Sequence, residues 1–251
     1  MISQKYKQDN FGDRMKTYES QANNLSLIPN LPVIVRLDGK GFSKYTSGLN
    51  KPYDERFVKL MENTCKYLMK KFPKIKVIYT QSDEINIVMS NDYLDLIEYN
   101  GRIQKLCSVL ASTCSVYFAC NTEDISENVL DYYPVFDCRI FNVPDWVEAS
   151  NMLLWRENDA TKNSIQSAGH HYFSQKEMHS LNNNEVQEKL LLEKNVNWNN
   201  YPFYFKRGFY IKREKYFDPN LNTERSHFVV KDFGQPLSKF TLEERLELLF
   251  N

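Results

Sequence analysis

An α+β fold on an antiparallel sheet is what this sequence predicts, on three observations. Val33-Ile34-Val35-Arg36-Leu37 and Val77-Ile78-Tyr79 are short apolar runs that read as buried strands. The second run is answered, after Gln81-Ser82-Asp83-Glu84, by Ile85-Asn86-Ile87-Val88, which is the pattern of a hairpin. Two long segments with apolar residues at helical spacing complete a β-α-β-β-α-β order, the ferredoxin-like arrangement with two helices on one sheet face.

In chain order, residues 12–22 read as a short charged helix, and a turn follows at Pro29-Asn30. A strand covers 32–37, with Pro32 at its first position, where the missing N–H gives up only one ladder donor. The chain then loops through Ser47-Gly48 to Pro52. A helix over 53–71 sets Phe57, Leu60, Met61, Thr64, Cys65, Leu68 and Met69 on one face. Strands at 75–79 and 85–89 form the hairpin. A second helix over 102–120 runs through Ile103, Leu106, Leu110 and Cys114, and a strand over 135–141 closes the unit. This topology puts the end of the first strand beside the hairpin turn, so Asp38 and Asp83 should be neighbours in space. From Pro144 onward helices are expected at 146–157, 160–173 and 184–194. A strand over 203–212, a short pairing strand at 227–231 and a charged helix over 241–250 follow. The expected division is a catalytic core over 1–143 and a helical/β portion over 144–251 packed on it as one integrated domain.

Formal net charge is zero, from 32 basic and 32 acidic residues, so no global cationic field exists to hold nucleic acid. A nucleotide or RNA site must rely on a local basic cluster and on metal ions that neutralise phosphate. The 16 Tyr and 16 Phe suit core packing first and base stacking second. Five cysteines without a Cys-x-x-Cys pair read as reduced thiols, with Cys107 and Cys114 on one helix face. Met1 to Lys5 show no apolar signal core and no long uninterrupted apolar stretch occurs, so a cytoplasmic protein without a membrane span is expected. The four histidines show no zinc spacing.

Asp38-Gly39 alone is a strand-ending turn, and Asp83-Glu84 alone is a solvated hairpin tip. Side by side they make a site. Nucleotidyl transfer assisted by metal needs hard oxygen ligands able to share two ions about 3.5–4 Å apart. Asp38, Asp83 and Glu84 supply carboxylates, and Gly39 leaves its carbonyl unobstructed. Arg102 and Lys105 share a face at a helix N-terminus, where backbone N–H groups favour anions. With Lys51 and Lys40 they make a triphosphate site without a Walker motif. Asp159 reads as the cap of a helix whose first turn carries Asn163 and Ser164.

Several of these residues resemble one family. Val35-Arg36-Leu37-Asp38-Gly39-Lys40-Gly41-Phe42 is similar to the Arg-hydrophobic-Asp-Gly-Arg-x-Phe motif of the tRNA-His guanylyltransferase family, and Gln81-Ser82-Asp83-Glu84 to its Ser-Asp-Glu motif. Lys51-Pro52, Arg102-x-x-Lys105, Trp155-Arg156, Asp159-x-x-x-Asn163 and Lys206-Arg207-Gly208 follow in family order, over about residues 10 to 215. The resemblance implies a polymerase-like palm that adds nucleotides to an RNA 5′ end in the 3′–5′ direction, and homotetramers. It assigns two Mg²⁺ ions to Asp38, the Gly39 carbonyl and Asp83, with Glu84 beside them. It assigns ATP, GTP or other NTP contacts to Lys40, Gly41, Phe42, Lys51, Ser82, Arg102, Lys105, Asp159 and Asn163. Lys206, Arg207, Lys212 and Arg213 are the expected RNA phosphate contacts. Eukaryotic members carry His-Ile-Asn-Asn-Leu-Tyr-Asn where this chain has Thr161-Lys162-Asn163-Ser164-Ile165-Gln166-Ser167. Thr161 in place of the histidine resembles the guanylyltransferase-like branch, associated with templated repair of tRNA 5′ ends.

The expected function is template-dependent 3′–5′ nucleotidyl transfer to tRNA 5′ ends. Two alternatives stand beside it. A nucleotidyl cyclase uses a similar palm, but it leaves the Asp159–Asn163 segment without employment. An RNA-binding module that has lost catalysis sits poorly with three retained carboxylates.

Overall fold

The structure, a computed structural model, describes residues 11–92, 95–122, 133–220 and 222–251. The first five residues, read above for a leader, lie outside them. The first half consists of α1 (Phe11–Asn23), β1 (Val33–Lys40), α2 (Phe42–Tyr45), α3 (Glu55–Lys71), β2 (Ile75–Gln81), β3 (Glu84–Met89), α4 (Ile103–Cys120) and β4 (Val135–Asn142). The second consists of α5 (Trp146–Tyr172), α6 (Gln175–Met178), α7 (Asn183–Lys194), α8 (Phe203–Arg207), β5 (Phe209–Asp218), β6 (Thr223–Lys231) and α9 (Leu242–Phe250). The expected β-α-β-β-α-β unit is present. Its four strands continue into β5 and β6 to give one antiparallel sheet in the order β4-β1-β3-β2-β5-β6.

Strand alternation assigns each residue to one of two layers. Val33, Val35 and Leu37 of β1 and Ile85, Ile87 and Met89 of β3 face α3 and α4, where they meet Leu60, Met61, Leu106 and Leu110. Ile34 and Val88 face the opposite way, against Ala149 and Leu153 of α5 and Leu249 of α9. The far half of α5 packs on α6, α7 and α8 through Ile165, Ala168, Met178, Val186 and Phe205. Much of the aromatic excess is packing. Phe42 is ringed by Tyr45, Phe57, Phe118 and Phe136, at centroid separations of 4.9 to 6.2 Å. The five cysteines are free thiols. α4 is long and apolar enough to cross a membrane by length and composition. Here it lies on the sheet, with Leu106, Leu110, Cys114 and Phe118 buried in the core.

Four expectations need correction. The helices expected at 146–157 and 160–173 are one helix of 27 residues. Asp159 does not cap; it accepts a hydrogen bond from Arg156 one turn back, and Asp145 is the cap, accepting from Glu148 N–H at 2.8 Å. The strand expected over 203–212 begins only at Phe209. Gly208, at φ 78°, ends the short α8 and reverses the chain into β5. β6 starts at Thr223 rather than His227.

Asp54 caps α3. Its carboxylate accepts from the Arg56 and Asn50 N–H groups at 3.0 and 3.1 Å and from the Arg56 guanidinium at 2.7 Å. The hydrogen bond from the Arg56 side chain comes first among the contacts that hold its pKa down at about 2, against an ordinary 3.8. The folded value lies below the unfolded one, so this stabilisation is complete above pH 3.8 and lost as pH falls through 2. Asp54→Asn should cost about 2 kcal/mol at pH 7. Urea unfolding should show the gap between wild type and variant closing near pH 2.

Candidate active site

β1 ends, and the β2–β3 hairpin turns, at the same end of the sheet. Asp38 stands opposite Glu84 in the β1–β3 register, and Gln81 pairs with Glu84 across the hairpin. Ser82 and Asp83 are left as a two-residue loop. Ser82 sits at φ 52°, a left-handed conformation that costs an L-residue on the order of 1 kcal/mol. The Gly39 N–H donates to the Asp83 carbonyl at 3.1 Å and ties the loop to β1. The expected adjacency of Asp38 and Asp83 is therefore present.

Gly39 is required by space. A Cβ there would lie 2.5 Å from the Phe42 ring and 2.7 Å from Asp83 Oδ2. Phe42 is locked in its aromatic ring of neighbours, so the Asp83 carboxylate would have to move. Gly39→Ala should destabilise by about 1–3 kcal/mol through overpacking. Thermal melting, with ATP binding measured in parallel, checks this: the variant should melt lower and bind ATP more weakly.

Glu84, expected beside the metal ligands, lines the cleft but is tied up in hydrogen bonds. Oε1 accepts from Arg156 Nε at 2.7 Å and Asn86 Nδ2 at 2.8 Å; Oε2 accepts from Arg36 Nη2 at 2.7 Å and Arg156 Nη2 at 2.8 Å. With four donors on two oxygens, Glu84 locks α5 to the sheet rather than offering a free carboxylate. Arg156 also reaches Asp159 at 3.0 Å, which in turn is 3.5 Å from Asn163 Nδ2. Arg36 was not among the expected site residues, though a strand period of two puts it on the face of Asp38.

Asp38 and Asp83 are left largely uncompensated. Arg36 is 3.7 Å from Asp38, and Asp83 makes no ion pair among the described residues. Burial pushes the Asp38 carboxyl up, with the Glu84 charge adding to it; burial likewise raises Asp83, with a further contribution from Asp38. Two crowded carboxylates, neither held by a close ion pair, beside the Gly39 backbone are a hard-oxygen donor set that fits Mg²⁺. Among the described residues no three His, Cys, Asp or Glu side chains converge, so such an ion would rest on these two and the Gly39 carbonyl.

A cleft of about 440 Å³ opens over this end of the sheet. Lys51, Ser82, Asp159 and Asn163 line it together with Asp38, Asp83 and Glu84, and Tyr53 and Tyr204 supply aromatic surface. Other expected residues lie elsewhere. Lys40, the last residue of β1, and Gly41 after it are exposed, and Phe42 is core, 3% exposed. Arg102 and Lys105 stand at the opposite end of the sheet. The C-terminal end of α4 meets β4 at Phe136, opposite Gly39, through Ser115 and Phe118, so the start of the helix, where Arg102 bridges Ser26, points to the other end of the sheet and neither residue lines this cleft.

Three of the four expected RNA contacts, Lys206, Lys212 and Arg213, are hydrogen-bonded within the fold. Lys206 Nζ donates to the Asn199 carbonyl at 2.6 Å, and Arg207 lies over the Phe203 ring while its carbonyl accepts from Tyr79. Lys212 and Arg213 donate to the Leu248 and Met69 carbonyls, in the last turns of α9 and α3. A cation is favourable there against the helix dipole.

The tRNAHis guanylyltransferase family model matches residues 12–144, which include β1, the hairpin and both carboxylates. The chain belongs to the tRNA(His) guanylyltransferase family. A family member from Debaryomyces hansenii is 32% identical over 205 residues, 75% of this chain and 76% of that protein. A bacterial tRNA(His) guanylyltransferase (Thg1)-like protein in complex with ATP matches at TM-score 0.83 and 35% identity, over 96% of this chain and 99% of that one. A complex with GTP matches at TM-score 0.78 and 34% identity, over 97% and 100%. The family is one of nucleotidyltransferases, and the α+β fold with its six-stranded sheet is the family's fold.

Proposed function

We propose that this chain is a template-dependent 3′–5′ nucleotidyltransferase that repairs or extends tRNA 5′ ends. One observation carries the reading: Asp38, with only Arg36 at 3.7 Å, and Asp83, without an ion pair among the described residues, line one end of a nucleotide-sized cleft while Glu84 is consumed by two arginines. The likeness to proteins bound to ATP and GTP supports NTPs as substrates. Asp38, Asp83 and the Gly39 carbonyl would hold Mg²⁺. When bound, it would supply charge neutralisation at the triphosphate and acidify the attacking hydroxyl.

The chain's own groups bind and orient. Lys51 on the cleft rim meets triphosphate charge, Ser82 offers a hydroxyl, and Asp159 and Asn163 hold polar edges of the nucleotide or RNA end. The 3′-oxygen of the incoming NTP forms a bond to the 5′-terminal phosphorus, and pyrophosphate leaves a 5′-triphosphate or AMP leaves an adenylylated end. Thr161 Oγ1 turns back to the Glu157 carbonyl at 2.9 Å, so no side chain like histidine reaches out from this position. That favours templated repair over untemplated G addition. Assembly as a homotetramer belongs to the same reading, and sedimentation velocity measures it.

The test incubates a tRNA lacking its 5′-terminal nucleotide with labelled GTP, ATP and Mg²⁺. Label should join the 5′ end opposite the template base. Absence of label under all NTP combinations would sink the proposal, and a cyclic nucleotide formed without RNA would replace it with a cyclase.

A further inference from the structure

β4 is the outer strand of the sheet, and α4 runs antiparallel along it. Two contacts set the register between them. The Phe136 N–H donates to Ser115 Oγ at 2.9 Å, and two helical turns earlier the Ile140 N–H donates to the Cys107 sulphur. Eight residues of helix and four of strand each span about 12–13 Å, so helix and strand stay aligned over this stretch. Strand alternation turns Phe136, Cys138 and Ile140 toward α4, while the residues between them are exposed. Cys138 thus stands midway between the two contacts, and its thiol donates a hydrogen bond to the Cys107 sulphur. Both cysteines are half-buried and pack on the core that holds Leu37 and Leu110.

The other three thiols are placed differently. Cys65 and Cys114 are wholly buried, and Cys120 is exposed at the end of α4. A small reagent therefore reaches Cys107 and Cys138 but not the two thiols in the core. Burial raises the pKa of both, Cys138 the further, with the neighbouring Cys107 and Asp137 adding to it. At Cys107 the hydrogen bonds from the Cys138 thiol and the Ile140 N–H oppose the rise. Cys107 is accordingly the thiol that ionises first and attacks, with Cys138 already in contact to resolve it.

We propose that Cys107 and Cys138 are a modification site, a dithiol that a low-molecular-weight disulfide converts to a disulfide bond clamping α4 to β4. First the Cys107 thiolate bonds to one sulphur of the reagent, whose own disulfide bond breaks, and one small thiol leaves with the proton that Cys107 gave up. The Cys138 sulphur then bonds to the Cys107 sulphur, and the second small thiol leaves with the Cys138 proton. The two cysteine sulphurs are oxidised and the two reagent sulphurs reduced, so two electrons and two protons change hands. The clamp bears on the catalytic sheet, because Cys138 pairs with Leu37 and Asp137 with Asp38 in the β1–β4 register. Under a reducing poise the pair is open, which makes the clamp reversible. It stands independently of the function proposed above.

The test treats the full chain carrying Cys120→Ser, which removes the exposed thiol, with oxidised glutathione under native conditions. Two of the four remaining thiols should disappear with the loss of two hydrogens and no added glutathione. A non-reducing digest should then join the Cys107 and Cys138 peptides. Closing a loop of about 30 residues should raise the melting temperature by about 5–10 °C, and dithiothreitol should reverse the rise. Cys138→Ser in the same background should end as a glutathione adduct on Cys107 with no rise in melting temperature. Cys107→Ser should leave Cys138 unmodified, since the attacking thiol is gone. Four thiols surviving an oxidation that modifies the unfolded chain fully would overturn the inference. A linked pair other than Cys107 and Cys138, or an oxidised protein that melts below the reduced one, would overturn it as well.

Discussion

Asp38→Asn and Asp83→Asn should each abolish nucleotide addition, by on the order of a thousandfold, while leaving the protein as stable as wild type or more so. The activity loss follows from removing one of two anionic ligands for Mg²⁺: several kcal/mol of transition-state charge stabilisation at 1.36 kcal/mol per decade is about three decades. The stability gain has a different origin. Burial, joined for Asp38 by the Glu84 charge, raises both carboxyls above their unfolded values. A group with a raised folded pKa favours the folded state below its unfolded value and opposes it once pH rises through the folded one. At neutral pH both carboxylates therefore work against folding, and neutral asparagines of the same shape relieve that. Single-turnover assays with Mg²⁺, and thermal melts in chelator, separate the two effects. A variant that loses activity and also melts well below wild type would show that the carboxylate is structural.

The neighbourhood of these two residues was legible because it needs only topology. Apolar runs name the strands, helical spacing names the crossovers, and β-α-β-β-α-β pairing sets Asp38 beside the hairpin turn. Glu84 was not legible, because its partners come from 48 and 72 positions away and nothing local announces them. Charges misled where their use is tertiary. Lys212 and Arg213 look available in sequence, yet each is spent on the carbonyls of a helix end that no pattern around residue 212 reveals. Arg102 and Lys105 were drawn to the site by their charge, although the hairpin's own direction sends β3 away from it and carries the start of α4 to the far end. Asp159 looked like a cap between two helices; with no Gly or Pro nearby and Arg156 one turn back, the helix simply continues.

Glu84→Ala should do the reverse of the aspartate substitutions in stability. It leaves Arg36 and Arg156, both largely buried, with their principal acceptor gone, and stranding a buried cation costs about 3–5 kcal/mol. Arg156 keeps Asp159 as an acceptor, which places the expected loss near the lower end, at about 3 kcal/mol. Asn86 is wholly buried and would lose its Nδ2 partner as well. Urea unfolding at neutral pH measures the loss. A double-mutant cycle of Glu84→Ala with Arg156→Ala should return a coupling of about 1–3 kcal/mol, since the second substitution removes the cation that the first one strands. Activity should fall too, because Glu84 directly follows Asp83 and sits opposite Asp38 in the ladder, so loosening it frees both carboxylates to move apart. Unfolding free energy moving up for the aspartates and down for the glutamate, with activity lost in all three, is the pattern that separates side chains serving the reaction from the one holding them in place.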